Sequence, residues 1–407
     1  MITRLLELPN DYSVLLFGPR GSGKSTLIQG FFDPKKSYRI DLLNPAVEQE
    51  YALHPEELTK VVAALPETVT HVIIDEVQKV PQLLDVVHAL IESPHPKYFI
   101  LTGSSARKLK RGGANLLAGR AFVYHLYPFC FLEQADSFNL QEVLQFGQLP
   151  RVLQFTAPAS KVRFLQTYVN TYLKEEVAAE QLVKKLAPFR RFLEVAAQSN
   201  GKIINFSNIA EDTGVSDNTI REYFSILEDT LIGFFLEPFS GSFRKRLGQK
   251  PKFYLFDLGV AKTLSRTLSV PLLPQTKIYG DAFEHFIILE VYRLISYFFP
   301  EYRLSYLHTK DDEEIDLIIE RPGMPLLCIE IKSASVLGES ALDKTAALVK
   351  ELPGCEAVCF YNGTTEKQYE SIRVIPWAEG LKRFFYDRAS YLQHNGPLTR
   401  HPHFNGQ

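Results

Sequence analysis

The sequence predicts an α/β protein in which a parallel β-sheet is followed by a helical segment and then by a second α/β domain. Three observations support this fold class. Short apolar runs alternate with helix-forming stretches over residues 1–126, as in a doubly wound sheet with helices on both faces. A glycine-rich turn separates the first apolar run from the first helix. Further apolar runs of strand length return after residue 300.

Size and composition are those of an ordinary globular protein. The 407 residues suffice for two or three domains. Hydrophobic residues make up 45% and charged residues 23% of the chain. The net charge is −2, so any nucleic-acid site has to be a local basic patch.

The termini and cysteines predict a cytoplasmic location without a membrane anchor. Glu7 and Asp11 come too early for a signal peptide, and no apolar run is long enough to span a bilayer. The four cysteines lie in apolar stretches without the spacing of a zinc site, which indicates reduced, buried thiols.

Five strands are expected in the first domain, which we place at residues 1–127. Continuous apolar runs of this length are typical of strands buried in a parallel sheet. Helices are expected over residues 55–65 and 81–91. The expected strands are Val14–Phe17, Tyr38–Leu42, His71–Asp75, Tyr98–Thr102 and Phe122–Leu126.

The turn after the first strand carries the most specific motif. Gly18, Gly23, Lys24 and Ser25 match the phosphate-binding loop, or P-loop, G-x-x-x-x-G-K-[ST]. Glycines let backbone N–H groups turn inward on an anion, and the next helix presents its positive end. We expect Lys24 to reach the outer phosphates of ATP and Ser25 to hold Mg²⁺. The expected nucleotide-binding residues of the loop are Gly18, Pro19, Arg20, Gly21, Ser22, Gly23, Lys24, Ser25 and Thr26.

Polar side chains that end two later strands complete the expected ATPase site. Asp75 fits the carboxylate on the Mg²⁺ side, and Glu76 is placed to orient or deprotonate the attacking water. Thr102 and Ser104 end the next strand, where a hydroxyl can sense the outer phosphate; capping of the strand end is the alternative.

A basic stretch follows and offers an arginine finger, in cis or from a neighbouring subunit of a homo-oligomer. Arg120 is the preferred candidate, because a planar cation suits the charge of a phosphoryl transition state. A solvated basic helix face is the alternative reading of the residues before it, which are Arg107, Lys108, Lys110 and Arg111.

The middle of the chain predicts a helical connector at residues 128–187 and a winged helix-turn-helix at residues 188–245. The second segment reads as helix, short glycine turn, helix and strand. DNA contact and a purely structural use remain open, because the candidate recognition helix carries Glu222 and Glu228 beside Arg221. The residues that could form a basic wing are Arg244, Lys245, Arg246, Lys250 and Lys252.

Residues 246–393 predict a third domain of α/β type, and residues 394–407 read as a loose tail. Glu330 and Lys332 share one face of an apolar strand, and a hairpin turn brings Asp316 near them. Glu284 lies in an apolar helix upstream. Glu284, Asp316 and Glu330 could bind Mg²⁺ or Mn²⁺ while Lys332 activates water against a phosphodiester. An internal ion pair in an inactive domain is the alternative.

Together these motifs resemble those of prokaryotic AAA-type ATPases that join a P-loop core to a winged helix and a C-terminal PD-(D/E)xK domain, which is restriction-endonuclease-like. The resemblance covers nearly the whole chain, although Ile315 stands where the nuclease pattern has proline. It implies ATP hydrolysis and suggests nucleic-acid work, with Ser104 as sensor and Arg120 as finger. It rests on Gly18–Thr26, Ile73–Glu76, Thr102–Ser105, Leu117–Arg120, Glu284, Asp316 and Glu330–Lys332.

Two functions follow as hypotheses. The first is a Mg²⁺-dependent ATPase coupled to DNA handling, with a metal-dependent nuclease domain. The second is a nucleotide-switched regulator or scaffold whose C-terminal domain binds a protein partner. A small-molecule kinase is disfavoured, because the chain has no lid-like arginine cluster and the extra domains would have no role.

Overall fold

The computed structural model describes residues 2–94, 97–105, 117, 119–134, 137–173, 186–240, 250–311, 313–338 and 340–386. These residues divide into two compact units. The first contains the described parts of residues 2–237 and 250–273, and the second contains those of residues 238–240 and 274–386. Among the described residues, no helix is both long enough and apolar enough to pass through a bilayer.

A five-stranded sheet forms the centre of the amino-terminal part of the first unit. Its order is β2-β3-β4-β1-β5, and every neighbouring pair is parallel. The predicted α/β fold class and the five predicted strands are confirmed. The strands are Ser13–Phe17 (β1), Ser37–Asp41 (β2), His71–Asp75 (β3), Tyr98–Gly103 (β4) and Ala121–His125 (β5).

Helices cover this sheet with their apolar faces. Leu58, Val62, Leu84 and Val87 are buried in one core with the side chains of the inner strands. Because the strands are parallel, the residues that follow β1, β3 and β4 lie at one edge of the sheet. The helices are Lys24–Phe31 (α1), Pro45–Leu53 (α2), Glu57–Ala64 (α3) and Leu83–Ile91 (α4), with a short 3₁₀ helix at Val77–Lys79.

The rest of the first unit is mainly helical. Asp217–Asp229 (α11) begins at Ser216, whose hydroxyl accepts a hydrogen bond from Thr219 N at 3.3 Å. An antiparallel hairpin of Gly233–Pro238 (β6) and Lys252–Leu255 (β7) follows. The other helices are Phe131–Gln134 (α5), Leu140–Phe146 (α6), Pro150–Leu153 (α7), Pro158–Thr167 (α8), Leu186–Gln198 (α9), Phe206–Thr213 (α10) and Leu258–Leu264 (α12), with a π-helical segment at Tyr168–Leu173.

The carboxyl end of this unit differs from the predicted segment boundary. The sequence analysis assigned residues from 246 onward to the nuclease-like domain, whereas residues 250–273 belong to the first unit. The physical reason is a shared core: Phe253, Val260 and Leu268 are buried together with Leu165 and Phe192 of the helical part.

The second unit is a mixed sheet with helices. Its strand order is β12-β13-β11-β10-β9-β8, in which β8, β9 and β10 are antiparallel and β10, β11 and β13 are parallel. The elements are Lys277–Phe298 (α13), Arg303–His308 (β8), Glu314–Glu320 (β9), Leu327–Lys332 (β10), Asp343–Lys350 (α14), Glu356–Tyr361 (β11), Lys367–Tyr369 (β12), Ile372–Pro376 (β13) and Trp377–Phe385 (α15).

Candidate nucleotide-binding site

The turn between β1 and α1 has the backbone shape that its glycines permit. Gly21 and Gly23 have φ values of 76° and 99°, in the left-handed region that residues with a side chain avoid. Gly23 is directly followed by α1, so the amino end of this helix opens on the turn. A turn of this kind is suited to an anion.

Two polar side chains of the turn fit a phosphate ligand. The Lys24 ammonium lies against the turn and donates to the carbonyl oxygens of Gly18, at 2.8 Å, and Pro19, at 3.4 Å. The Ser22 hydroxyl oxygen is buried and has no hydrogen-bond partner among the described residues. A buried cation and an unpartnered hydroxyl are groups that a bound polyphosphate would satisfy.

The outer side of the turn is held by residues from outside the sheet. Tyr168 Oη donates to the Arg20 carbonyl at 2.8 Å. Arg4 Nη1 donates to the Ser22 carbonyl at 2.9 Å, and Arg4 Nε pairs with Glu133 Oε1 at 2.9 Å. These bonds fix the carbonyl groups of the turn and connect it to the helical part of the first unit.

Asp75, at the end of β3, is the centre of a polar cluster beside this turn. Its Oδ2 atom accepts hydrogen bonds from Ser25 Oγ at 2.9 Å and from Arg39 Nη2 at 2.6 Å. Its Oδ1 atom accepts from the Thr102 hydroxyl. The Asp75 side chain is only 4% exposed, so these bonds compensate its loss of hydration.

Glu76 is held in place by the neighbouring elements. Its backbone adopts a φ of 60°, and its N–H group donates to Thr102 Oγ1 at 3.1 Å. Gln78 Nε2 donates both to Glu76 Oε2 and, at 3.0 Å, to Ser104 Oγ. A Cβ atom at Gly103 would lie 2.7 Å from Gln78 Oε1, so glycine is what lets Gln78 approach. Thr102 thus supports Asp75 and Glu76, while Ser104 bonds Gln78.

The donor set fits a magnesium ion. Mg²⁺ prefers hard oxygen ligands and keeps part of its water shell. The Ser25 hydroxyl and the Asp75 carboxylate already lie within 2.9 Å of each other and supply such oxygens.

Arg120 lies at the other end of the sheet from the P-loop. β5 pairs in parallel with β1, with Ala121 opposite Ser13, so Arg120 precedes the strands while the loop follows them. The length of β1 separates the two by about 16 Å. Arg120 Nε bonds Glu92 Oε1 at 2.7 Å, and this contact lowers the pKa of Glu92. Of the two alternatives for Arg120, action in cis is not supported by this placement.

In the second unit, three of the four predicted residues do come together. β9 and β10 pair with Leu317 opposite Ile329, which places Asp316 beside Glu330. The Asp316 carboxylate accepts from the backbone N–H of Ile331 at 2.6 Å, and Lys332 Nζ donates to Glu330 Oε1 at 2.6 Å.

This arrangement does not form the expected metal site of Glu284, Asp316 and Glu330. Within the described residues, no group of three or more His, Cys, Asp or Glu side chains is placed to hold a metal ion. Asp316 accepts from the backbone N–H of Ile331, and Glu330 forms an ion pair with Lys332. Burial raises the pKa of Glu330, and the contact with Lys332 opposes that shift.

Much of the predicted basic surface lies outside the described residues. This holds for Arg107, Lys108, Lys110 and Arg111, and also for Arg244, Lys245 and Arg246. Lys250 is exposed, whereas Lys252 is 5% exposed within β7. Lys252 therefore cannot belong to an exposed basic wing.

Arg39 and Gln78 are site residues that the sequence analysis missed. Arg39 reaches Asp75 only because β2 lies beside β3, with Arg39 opposite Ile73. No local motif shows this pairing. Gln78 had a weak signal, since it is a polar residue two positions after Glu76.

Three family models match successive parts of the chain. Residues 10–135 match the AAA domain, residues 137–270 match a domain of unknown function (DUF8612), and residues 279–379 match a domain of unknown function (DUF4143). The first match covers the sheet and the loop described above. This part of the chain has a P-loop NTPase fold.

Two mycobacterial proteins are similar to most of this chain. The uncharacterized proteins Mb2031c of Mycobacterium bovis and Rv2008c of Mycobacterium tuberculosis are each 27% identical over 325 residues, which is 79% of this chain and 70% of theirs.

Solved structures match only distantly. A DNA polymerase III gamma subunit-related protein from Thermotoga maritima is 12% identical over 54% of this chain and 93% of its own, with a TM-score of 0.27. Drosophila ORC bound to GC-rich DNA and Cdc6 matches at 10% identity over 63% of this chain and 85% of that chain, with a TM-score of 0.21.

Proposed function

We propose that the protein is a Mg²⁺-dependent ATPase whose hydrolysis is coupled to nucleic-acid handling. The observation that carries the proposal is the contact between Ser25, at the start of α1, and Asp75, at the end of β3, beside the glycine-rich turn. A metal-binding hydroxyl, an acidic strand end and a phosphate-binding turn are the parts that P-loop hydrolysis needs.

Each polar group has a role in this proposal. Lys24 moves from the turn carbonyls onto the outer phosphates, and Ser25 and Asp75 hold the metal. Bound Mg²⁺ would neutralise charge on the outer phosphate oxygens. Glu76 orients the attacking water and accepts its proton. Thr102 and Gln78 keep the two carboxylates in position.

The hydrolysis experiment compares the wild type with Glu76→Gln and with Glu67→Gln, an exposed glutamate in the same domain. Glu76→Gln keeps the shape of the side chain but removes the base. We expect ATP binding to remain and phosphate release to fall at least about 100-fold. Glu67→Gln should turn over ATP like the wild type. Equal turnover in Glu76→Gln would assign the water-orienting role to another residue.

Arg120 enters the proposal as a residue supplied by a neighbouring copy of the chain. In its own chain it lies at the end of β5 that is remote from the P-loop. A copy docked with that end against the next P-loop would bring a planar cation to the phosphates. The proposal therefore includes a homo-oligomer.

The nucleic-acid part is supported by the order of α9, α10, α11 and the β6–β7 hairpin, which is the order of a winged helix. Glu222 and Glu228 are exposed on α11, so the proposal assigns phosphate contacts to the basic sequence Arg244–Arg246 instead. Replacing all three basic residues by glutamine should weaken binding of a labelled DNA duplex and lower its salt dependence. Unchanged binding of the duplex would exclude DNA contact by this segment.

A second function is favoured by the Lys332–Glu330 pair. With Glu330 paired to Lys332 and no group of metal-ligating side chains among the described residues, the second unit fits a partner-binding module of a nucleotide-switched regulator. Cleavage of plasmid DNA in the presence of Mn²⁺ distinguishes a nuclease from a partner-binding module. We expect no difference between wild type and Glu330→Ala, and cutting that depends on Glu330 would favour a nuclease.

A further inference from the structure

Asp75 already has a cationic partner on the side where a metal would bind. The same oxygen, Oδ2, accepts from Ser25 Oγ at 2.9 Å and from Arg39 Nη2 at 2.6 Å. Ser25 is the hydroxyl assigned to the metal. The guanidinium of Arg39 therefore occupies a position beside the oxygen pair that the metal requires.

The topology makes this contact specific to Arg39. β2 and β3 are parallel, with Arg39 opposite Ile73, and residues two apart on a strand share a face. The Arg39 side chain consequently extends along β3 towards Asp75. Among the described residues, Arg39 donates hydrogen bonds to Asp75 alone.

The exposures of the two side chains differ in a way that would let a metal ion replace Arg39 as the cationic partner of Asp75. The Asp75 side chain is 4% exposed and needs a cation nearby, because an unpaired buried carboxylate is costly. The Arg39 side chain is 33% exposed, so its long stem can carry the guanidinium into water. A metal ion at Asp75 can therefore supply the compensating positive charge, while the displaced guanidinium of Arg39 is hydrated.

We infer that Arg39 is a built-in counter-ion that competes with Mg²⁺ for Asp75, so that Arg39 sets the Mg²⁺ concentration at which nucleotide binds. The inference rests on the proposed ATPase function and adds regulation of its metal site. Two cations on one carboxylate oxygen repel each other, so metal entry requires Arg39 to leave Oδ2. Removing the guanidinium removes that competition.

The experiment measures ATP binding by calorimetry over a series of Mg²⁺ concentrations. Arg39→Gln and Arg39→Met both remove the charge, so the result does not depend on the folding of one variant. Arg39→Lys keeps the charge, and Lys35→Gln removes an exposed charge that precedes the same strand. We expect the Mg²⁺ midpoint to fall about 3- to 10-fold in the two uncharged variants, given the partial exposure of the pair. The Mg²⁺ midpoint should stay within about twofold of the wild-type value in Arg39→Lys and Lys35→Gln.

A second readout uses Mg²⁺ alone and no nucleotide. The melting temperature of Arg39→Gln should rise more with Mg²⁺ than that of the wild type, because its Asp75 has lost its cationic partner.

The outcomes separate this inference from the ATPase proposal. A wild type that binds ATP, with an unchanged or higher Mg²⁺ midpoint in Arg39→Gln and Arg39→Met, would overturn the inference alone. Weaker ATP binding by these variants without Mg²⁺ would also overturn it, since Arg39 would then be a phosphate contact. A folded wild type that binds no ATP at any Mg²⁺ concentration would overturn both.

Discussion

At the scale of single residues, Gln78 links groups that follow two neighbouring strands. Its amide nitrogen donates to Glu76 and to Ser104, while its Oε1 atom is buried and finds no hydrogen-bond partner in the described part of the chain. In the proposed ATPase function this contact matters, because a base that orients water works only at a defined distance and angle. We therefore propose Gln78 as a positioning residue for Glu76.

Replacing Gln78 should separate kcat from KM. In Gln78→Leu we expect kcat for ATP to fall about tenfold, equivalent to about 1.4 kcal/mol in the barrier, with KM nearly unchanged. Gln78→Glu, which cannot donate and repels Glu76, should be at least as slow. Steady-state phosphate release measures both constants. A rise in KM at constant kcat would show that Gln78 contacts the nucleotide instead.

At the scale of elements, α12 packs on α6 through a buried lysine. Lys262 Nζ donates to Gln145 Oε1 at 3.0 Å and to the Val270 carbonyl at 3.4 Å. Burial lowers the pKa of Lys262 from 10.5 to about 8. The folded protein therefore releases this proton at lower pH than the unfolded chain does.

The stability of the first unit should depend on pH through Lys262. Between pH 8 and 10.5 the unfolded chain holds the proton that the folded chain has lost, so this residue's contribution to stability rises with pH. The free energy of unfolding of wild type minus that of Lys262→Met, measured in urea, should increase across this range. Lys202→Met, at an exposed lysine, controls for loss of charge. A flat or falling difference would place the pKa of Lys262 near that of the unfolded chain.

The elements also show what a sequence can predict. β1, β3, β4 and β5 were predictable because each is an apolar run, and the P-loop because its residue types are dictated by phosphate chemistry. The contact of Arg39 with Asp75 depends on the register of two strands, which no local pattern encodes. The boundary near residue 246 was misplaced because β7 returns to pair with β6, and Phe253 joins a core that begins about a hundred residues earlier.

At the scale of the whole molecule, the position of Arg120 predicts an active site shared between copies. Arg120→Ala and Lys24→Ala should each be inactive alone. Mixing them should restore hydrolysis, because an intact P-loop from one variant then meets an intact Arg120 from the other. Phosphate release before and after mixing checks this. Full activity of Arg120→Ala alone, or no recovery on mixing, would contradict a shared site.

The second unit illustrates why motif residues need their surroundings. Asp316, Glu330 and Lys332 have the expected placement on two paired strands, as the sequence predicted. Among the described residues, Asp316 accepts from the Ile331 backbone and Lys332 donates to Glu330. The spacing of these three residues could be predicted from the sequence. The hydrogen-bond partners of each carboxylate depend on the packing around it, which the sequence does not show.

The central claim is that the turn between β1 and α1 binds the phosphates of ATP through Lys24. Calorimetric titration of the folded protein with ATP and Mg²⁺ tests it most directly, with Lys24→Ala as the test variant and Lys35→Ala as the matched exposed-lysine control. We expect heat of binding from the wild type and Lys35→Ala, and affinity at least about tenfold weaker in Lys24→Ala, because a charge-assisted contact to phosphate is lost. No heat from the folded wild type, or equal affinity in Lys24→Ala, would contradict the claim.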